Sequence, residues 1–372
     1  MNIIDQEPIA GRVVAGGAAA RWTIDGRAYV NFSGAGYLAL HDEPALRRAA
    51  YDALDRGLPF QHQLGPLYEF RDPPLDDVQA AAADFMQCET ALYFSSGFFI
   101  GQIGLCAFAR PGDHLYVDEG AHYNLRQAVQ LSGLAATSFA HRDPGALEEA
   151  VARMLSAGER PLVVTDGMFA TTGELAPLHH YAKVIDRFGG SMFVDDAHGF
   201  GVIGEEGRGC AEYFGTESVT DVGGTLSKAF CASGAVIGCS KETARRVIHL
   251  PPKRGANAGS PISAAVAAAS LRFVQAHPER RRRLHELSAH ARFGLRRIGI
   301  AVSDSPSPVM AFALGDRANM RRIQYQLFAK GFYLPISDYI GAGPGGTFRC
   351  AVFANHSEED LDALLSALAT VL

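Results

Sequence analysis

Apolar residues in this chain fall in short, nearly continuous runs separated by longer stretches of mixed character. That is the pattern of strands buried on both faces alternating with helices. The runs include Ala91-Leu92-Tyr93-Phe94, His114-Leu115-Tyr116-Val117, Pro161-Leu162-Val163-Val164, Met192-Phe193-Val194 and Ala235-Val236-Ile237-Gly238, with Val219-Thr220-Asp221-Val222 as a further strand. Strand and helix in alternation predict an α/β domain over about 46–275, built on a mainly parallel sheet covered on both faces. Residues 1–45 read as an N-terminal arm, with a hairpin turning at Asp25-Gly26. Residues 276–372 read as a linker helix, about 277–298, and a small α+β C-terminal domain. A last helix is signalled by Ser357 and Asp360, which have the spacing of a capping box.

Composition narrows the class. A chain of 372 residues that is 48% hydrophobic and 20% charged has room for one large and one small domain. A net charge of −6 argues against a nucleic-acid partner, whose phosphates require a basic face. The run Arg280-Arg281-Arg282-Arg283 opens a predicted helix and reads as a solvated face. The six cysteines are scattered without a Cys-x-x-Cys pair, which suggests packing residues in a reducing compartment. With neither a charged-then-apolar leader nor a run of about eighteen apolar residues, the expected location is cytoplasmic and no membrane partner is expected. His179 and His180 are adjacent and are not expected to share a helix face, so no metal site is expected.

The chemistry is concentrated in two segments. Ser191-Met192-Phe193-Val194 ends in Asp195, which puts a carboxylate at the carboxyl end of a buried strand, where open α/β sheets build their sites. Lys228 follows 33 residues later in Gly223-Gly224-Thr225-Leu226-Ser227-Lys228. A lysine amine forms a Schiff base with the aldehyde of pyridoxal 5'-phosphate (PLP), and a carboxylate at the far side of the ring keeps the pyridine nitrogen protonated. The small residues before Lys228 are expected to let the backbone approach a flat ring and its phosphate. Ser95-Ser96-Gly97-Phe98 follows a strand and opens a helix, so the amides of Gly97 and Phe98 are candidates to cradle the phosphate.

The stretch Val194-Asp195-Asp196-Ala197-His198-Gly199-Phe200-Gly201-Val202-Ile203-Gly204 closely resembles the signature of the α-oxoamine synthases, PLP-dependent enzymes of fold type I. The resemblance runs from Trp22-Thr23-Ile24-Asp25-Gly26 to the last helix, through Val164-Thr165-Asp166-Gly167-Met168-Phe169 and Gly173-Glu174-Leu175-Ala176-Pro177-Leu178. It implies a large domain with a seven-stranded, mainly parallel sheet and a smaller C-terminal domain. The implied activity condenses an amino acid with an acyl thioester of coenzyme A or a carrier protein, with decarboxylation, to an α-amino ketone. It further implies a homodimer with its active site at the subunit interface.

Residue by residue, the resemblance makes Lys228, Asp195, His198 and His122 catalytic. His122 stacks on the cofactor ring and His198 bonds its phenolic oxygen. Ser96, Gly97, Phe98, Asp166, Thr225 and Ser227 complete the cofactor site, with Ser260 offered to the phosphate of a neighbouring subunit. Arg349 grips the substrate carboxylate, a task suited to its planar fork of donors.

Departures from the family pattern lie on the substrate side. Ser33-Gly34-Ala35-Gly36-Tyr37-Leu38-Ala39 stands where the family has Ser-Asn-Asp-Tyr-Leu-Gly, without its polar pair, the segment 58–76 is altered, and Ala170 replaces a common serine. These changes suggest a specialised member of secondary metabolism. An aminotransferase, a lyase or a cyclising enzyme would use the same Lys228 and Asp195, and a non-catalytic binding protein on the same fold is a third reading.

Overall fold

The computed structural model describes residues 7–17, 19–61, 71–255 and 258–372. They form two compact units: one of Asp42–Met168 with Leu175–His277, the other of residues up to His41, Phe169–Glu174 and Pro278–Leu372. Of the altered segment 58–76, residues 62–70 lie outside the described part.

The smaller unit opens with β1 (Val14–Ala15), β2 (Arg21–Ile24) and β3 (Arg27–Asn31). Asp25 and Gly26, both with positive φ, make the predicted two-residue turn between β2 and β3.

The larger unit then runs α1 (Pro44–Asp55), α2 (Pro73–Met86), β4 (Thr90–Phe94), α3 (Ile100–Phe108), β5 (Asp113–Asp118), α4 (Tyr123–Ser132), β6 (Ala136–Phe139), α5 (Pro144–Met154) and β7 (Arg160–Asp166). It continues through α6 (Leu178–Asp186), β8 (Ser191–Asp195), α7 (Cys210–Phe214), β9 (Thr220–Thr225), β10 (Ala235–Cys239), α8 (Lys241–Val247), α9 (Pro251–Gly255) and α10 (Pro261–Ala276). Its seven strands form one sheet in the order β4-β10-β9-β8-β7-β5-β6. Only β10 runs against the others, pairing antiparallel with both β4 and β9.

The strands read as continuous apolar text because both faces are covered. Leu92 and Phe94, Leu115 and Val117, Leu162 and Val164, and Phe193 share one face and pack with Ile100 and Ile103 of α3 and Leu125 of α4. The alternate residues Tyr93, Tyr116, Val163, Met192 and Val194 are buried as well.

Returning to the smaller unit, the chain forms α11 (Pro278–Arg297), β11 (Val309–Phe312), α12 (Arg317–Ala329), β12 (Phe332–Tyr333), β13 (Ile336–Ser337), β14 (Thr347–Ala351) and α13 (Glu358–Ala369). Residues read as an arm enter this unit through pairing: β12 lies parallel to β3, with Phe332 opposite Val30. β14 is the middle strand of a second, three-stranded sheet between β11 and β13. The predicted capping box holds the start of α13, where Ser357 Oγ accepts from Asp360 N and Asp360 Oδ2 accepts from Ser357 N.

Three expectations are corrected. Val219 closes a short 3₁₀ turn, and the strand runs from Thr220 to Thr225, so Gly223 and Gly224 lie inside it. Arg281 is not solvated: it is 4% exposed, because the buried stripe of α11 through Leu284, Ser288, Ala291 and Leu295 continues one turn further toward the amino end than its apolar residues do. The rings of His179 and His180 are also not held apart. At the first turn of α6 their centroids are 3.9 Å from each other.

Candidate active site

Five strands of the large sheet, β4, β5, β7, β8 and β9, share one direction and deliver their carboxyl ends to a single cavity of about 180 Å³. It is lined by Lys228, Asp195, Asp166, His122, His198, Ser96, Gly97, Phe98, Thr225 and Ser227, which is every cofactor residue expected from the sequence except Ser260. Ser260 stands at the amino end of α10, where its side chain makes no capping bond.

Part of the cavity lining is hydroxylated. After β4 the chain turns through a single 3₁₀ turn, Gly97–Phe99, before α3, and Ser96 Oγ accepts from Phe98 N at 3.3 Å. Phe98 N, one of the two candidate amides, thus has a partner within the loop. Thr225, at the end of β9, is 1% exposed and its Oγ1 lies 2.9 Å from Ser227 Oγ. A Cβ on residue 97 would fall 2.7 Å from Thr225 Oγ1, so only glycine leaves this cup open.

The glycines of β9 are also required by packing. A Cβ at Gly223 would meet Ile100 Cγ2 at 2.5 Å, and one at Gly224 would collide with the ring of Phe200. Their smallness lets α3 and the 196–210 loop pack against the sheet.

A second part of the lining is acidic. Asp166 and Asp195 occupy paired positions of β7 and β8 and are 5% and 3% exposed. Burial holds the Asp166 carboxyl well above the usual carboxylate range and the charge of Asp195 pushes it further, while His122 N, donating to Oδ2 at 2.8 Å, opposes both. Burial also raises Asp195, against the pull of Asn124, Lys228 and His122. Two neighbouring buried carboxylates are costly to ionise without a cation beside them. A protonated pyridine nitrogen suits these carboxylates and a phosphate suits the hydroxyls of Ser96, Thr225 and Ser227, so the residues present fit PLP.

Residues that sequence reasoning missed hold this arrangement. Asn124, 2% exposed in the first turn of α4, donates from Nδ2 to Asp195 Oδ2 at 2.7 Å, and its Oδ1 is 2.8 Å from His122 Nδ1. Asp118, fully buried at the end of β5, accepts from Gly120 N and lies 2.7 Å from His141 Nδ1, fixing the turn that presents His122. Asp196, next to Asp195 and fully buried, accepts from Cys210 N and so ties the loop carrying His198 back to β8. Its carboxyl is raised to about 6 by burial. The sequence offered only a strand-end aspartate, an amide and a doubled aspartate as signals.

Arg349 lies on β14 of the smaller unit. Its Nε donates to Ala170 O at 2.7 Å, Nη1 to Gly34 O at 2.8 Å and Nη2 to Tyr37 OH at 3.0 Å. Gly34 and Ala170, each in a segment that departs from the family pattern, thus contribute main-chain carbonyls that orient this guanidinium.

Comparison with known proteins adds to this geometry. Residues 30–368 match the family model described as aminotransferase class I and II. An 8-amino-7-oxononanoate synthase of Methylococcus capsulatus is 34% identical over 366 residues, spanning 96% of this chain and 93% of its own. One from Geobacter sulfurreducens is 31% identical, spanning 97% and 93%. Among solved structures, a Sphingomonas wittichii serine palmitoyltransferase superposes with a TM-score of 0.88 at 24% identity, covering 98% of this chain and 92% of that one. An 8-amino-7-oxononanoate synthase from Francisella tularensis gives 0.76 at 21%, covering 92% and 97%.

Proposed function

The chain belongs to the aminotransferase class I and II family, in its α-oxoamine synthase branch of fold type I enzymes, and from that premise we propose that it condenses an amino acid with an acyl thioester. A carbon–carbon bond forms between the α-carbon and the acyl carbonyl, the thiol leaves, and carbon dioxide is lost, giving an α-amino ketone. The observation that carries the reading is the cavity that gathers Lys228, two buried carboxylates and a hydroxyl cup at the ends of five strands.

PLP is the cofactor: Lys228 would bind it covalently, Asp195 would hold a proton on its ring nitrogen, and Ser96, Gly97, Thr225 and Ser227 would take its phosphate. His122 would cover the ring face and His198 the phenolic oxygen. When bound, the group supplies an electron sink for negative charge developing at the amino acid's α-carbon.

The protein's own residues do the rest. Lys228 Nζ would be the base that takes the α proton of the amino acid and later returns one. Asp195 stays ionised so that charge on the ring nitrogen is matched. Its Oδ1 accepts from Ala197 N at 3.1 Å and its Oδ2 from Asn124, so neither oxygen is left to turn away. Arg349 carries five N–H donors and spends three on Ala170, Gly34 and Tyr37, leaving two for a carboxylate. A specialised amino or acyl substrate is part of the proposal, because Ala35 and Gly36 remove the family's polar pair.

A homodimer, with Ser260 serving the phosphate of the partner's site, and a cytoplasmic location complete the reading. No helix of the described residues is long and apolar enough to cross a membrane.

Mass spectrometry of products from a panel of amino acids with acyl-coenzyme A and acyl-carrier thioesters tests the reaction. Condensation predicts an α-amino ketone and carbon dioxide only when a thioester is present. Conversion of the amino acid to its keto acid without thioester would instead mark an aminotransferase.

A further inference from the structure

Asn124 bridges two groups that the proposed function assigns to the cofactor, and the chemistry of its amide fixes more than position. Nδ2 is 2.7 Å from Asp195 Oδ2, and Oδ1 is 2.8 Å from His122 Nδ1. An amide offers hydrogens on one side only, and its neighbours decide which way it faces. An ionised Asp195 only accepts, so it takes the NH₂ group. The carbonyl oxygen is then left facing His122, and since it too only accepts, Nδ1 must carry the imidazole proton. Asn124 N also points at Nδ1, but from the longer distance of 3.2 Å.

The reverse arrangement is equally definite. Were Asp195 protonated, its hydroxyl would donate to the turned amide oxygen, and the NH₂ group would donate to a bare Nδ1. His122 would then hold its proton on Nε2.

We propose that Asn124 couples the charge of Asp195 to the position of the proton on His122, holding the imidazole as the Nδ1–H tautomer for as long as Asp195 is ionised. This rests on the reading of Asp195 and His122 as cofactor groups. Asn124 is a positioning residue: it acts through both neighbours, and with the proton on Nδ1 the lone pair of the neutral ring lies on Nε2. A neutral histidine in water favours the proton on Nε2, and so does ordinary helix capping, in which His122 Nδ1 accepts from Asn124 N, so the opposite state is a signature that capping would not produce.

The test uses the protein loaded with PLP and labelled with nitrogen-15 histidine. Long-range proton–nitrogen spectra distinguish the two tautomers, and the His122 signals are assigned by their loss in His122→Gln. The expected result is Nδ1–H in the unsubstituted protein and a shift to Nε2–H in Asn124→Leu, with PLP affinity falling roughly ten- to a hundredfold, as for a lost bond to a buried charge. Asn124→Asp separates the two links, because a carboxylate still accepts from Nδ1–H but cannot donate to Asp195. It should keep the tautomer and still lose affinity. Nε2–H in the unsubstituted, PLP-loaded protein overturns the inference while leaving the cofactor assignment intact, even if Asn124→Leu fails to fold. A protein that takes up no PLP overturns both.

Discussion

Gly97 and Thr225 come so close that a methyl group on the first would stand 2.7 Å from the hydroxyl oxygen of the second. Thr225 Oγ1 is held there by Ser227 Oγ and by Gly234 O at 3.3 Å, so it cannot step aside without losing partners. Gly97→Ala should leave the fold in place and weaken PLP binding about tenfold or more, by the roughly 1–3 kcal/mol that overpacking costs. Titration of the cofactor-free protein with PLP measures it.

The carboxyl of Asp196 supplies a pH dependence. Burial raises it to about 6, above the 3.8 of an unfolded chain, so between those values the folded state holds more protons than the unfolded state does. Stability from this group therefore declines as pH rises from about 4 to 6 and stays lower above, by something on the order of 3 kcal/mol. Asp196→Asn keeps an acceptor for Cys210 N and should flatten that part of the profile. Thermal unfolding of both proteins from pH 4 to 8 shows whether their difference grows toward neutral pH, as expected, or stays constant.

Arg349 is proposed to use its two remaining donors on the substrate carboxylate. Arg349→Lys retains the charge and loses the fork, so KM for the amino acid should rise on the order of ten- to a hundredfold, with PLP affinity little changed. Tyr37→Phe removes one of the three groups that orient the guanidinium and should raise KM by a smaller factor. Steady-state kinetics with the amino acid varied at saturating thioester reads both.

At the start of α13, Ser357→Ala removes the side chain that accepts from Asp360 N. The substitution should cost about 1 kcal/mol of stability, as for other helix caps, with kcat unaltered. Denaturant unfolding followed by circular dichroism is the measurement.

The parts of this molecule that could be read in the sequence are those set by local rules. Ser357 and Asp360 are three residues apart and make their own bonds, the Asp25-Gly26 turn follows from two residues, and Asp195 ends an apolar run that only a strand explains. Asn124 was hidden because nothing in Tyr123-Asn124-Leu125 announces a partner 71 residues away. The packing reason for Gly223 and Gly224 was hidden by the same cause: Ile100 and Phe200, which require their smallness, reach them only in the folded sheet. Arg281 is a charged residue that is itself part of a buried stripe, and composition alone assigns such a residue to solvent. The parallel pairing of β3 with β12 joins segments some three hundred residues apart, and two-residue strands such as Phe332–Tyr333 carry no periodicity to detect.

The most direct measurement of the central claim is covalent. Purified protein mixed with PLP, reduced with borohydride, digested and mapped by mass spectrometry should carry the pyridoxyl group on Lys228, and Asp195→Ala should lower the extent of labelling. Labelling spread over surface lysines, or none at all, would contradict the account.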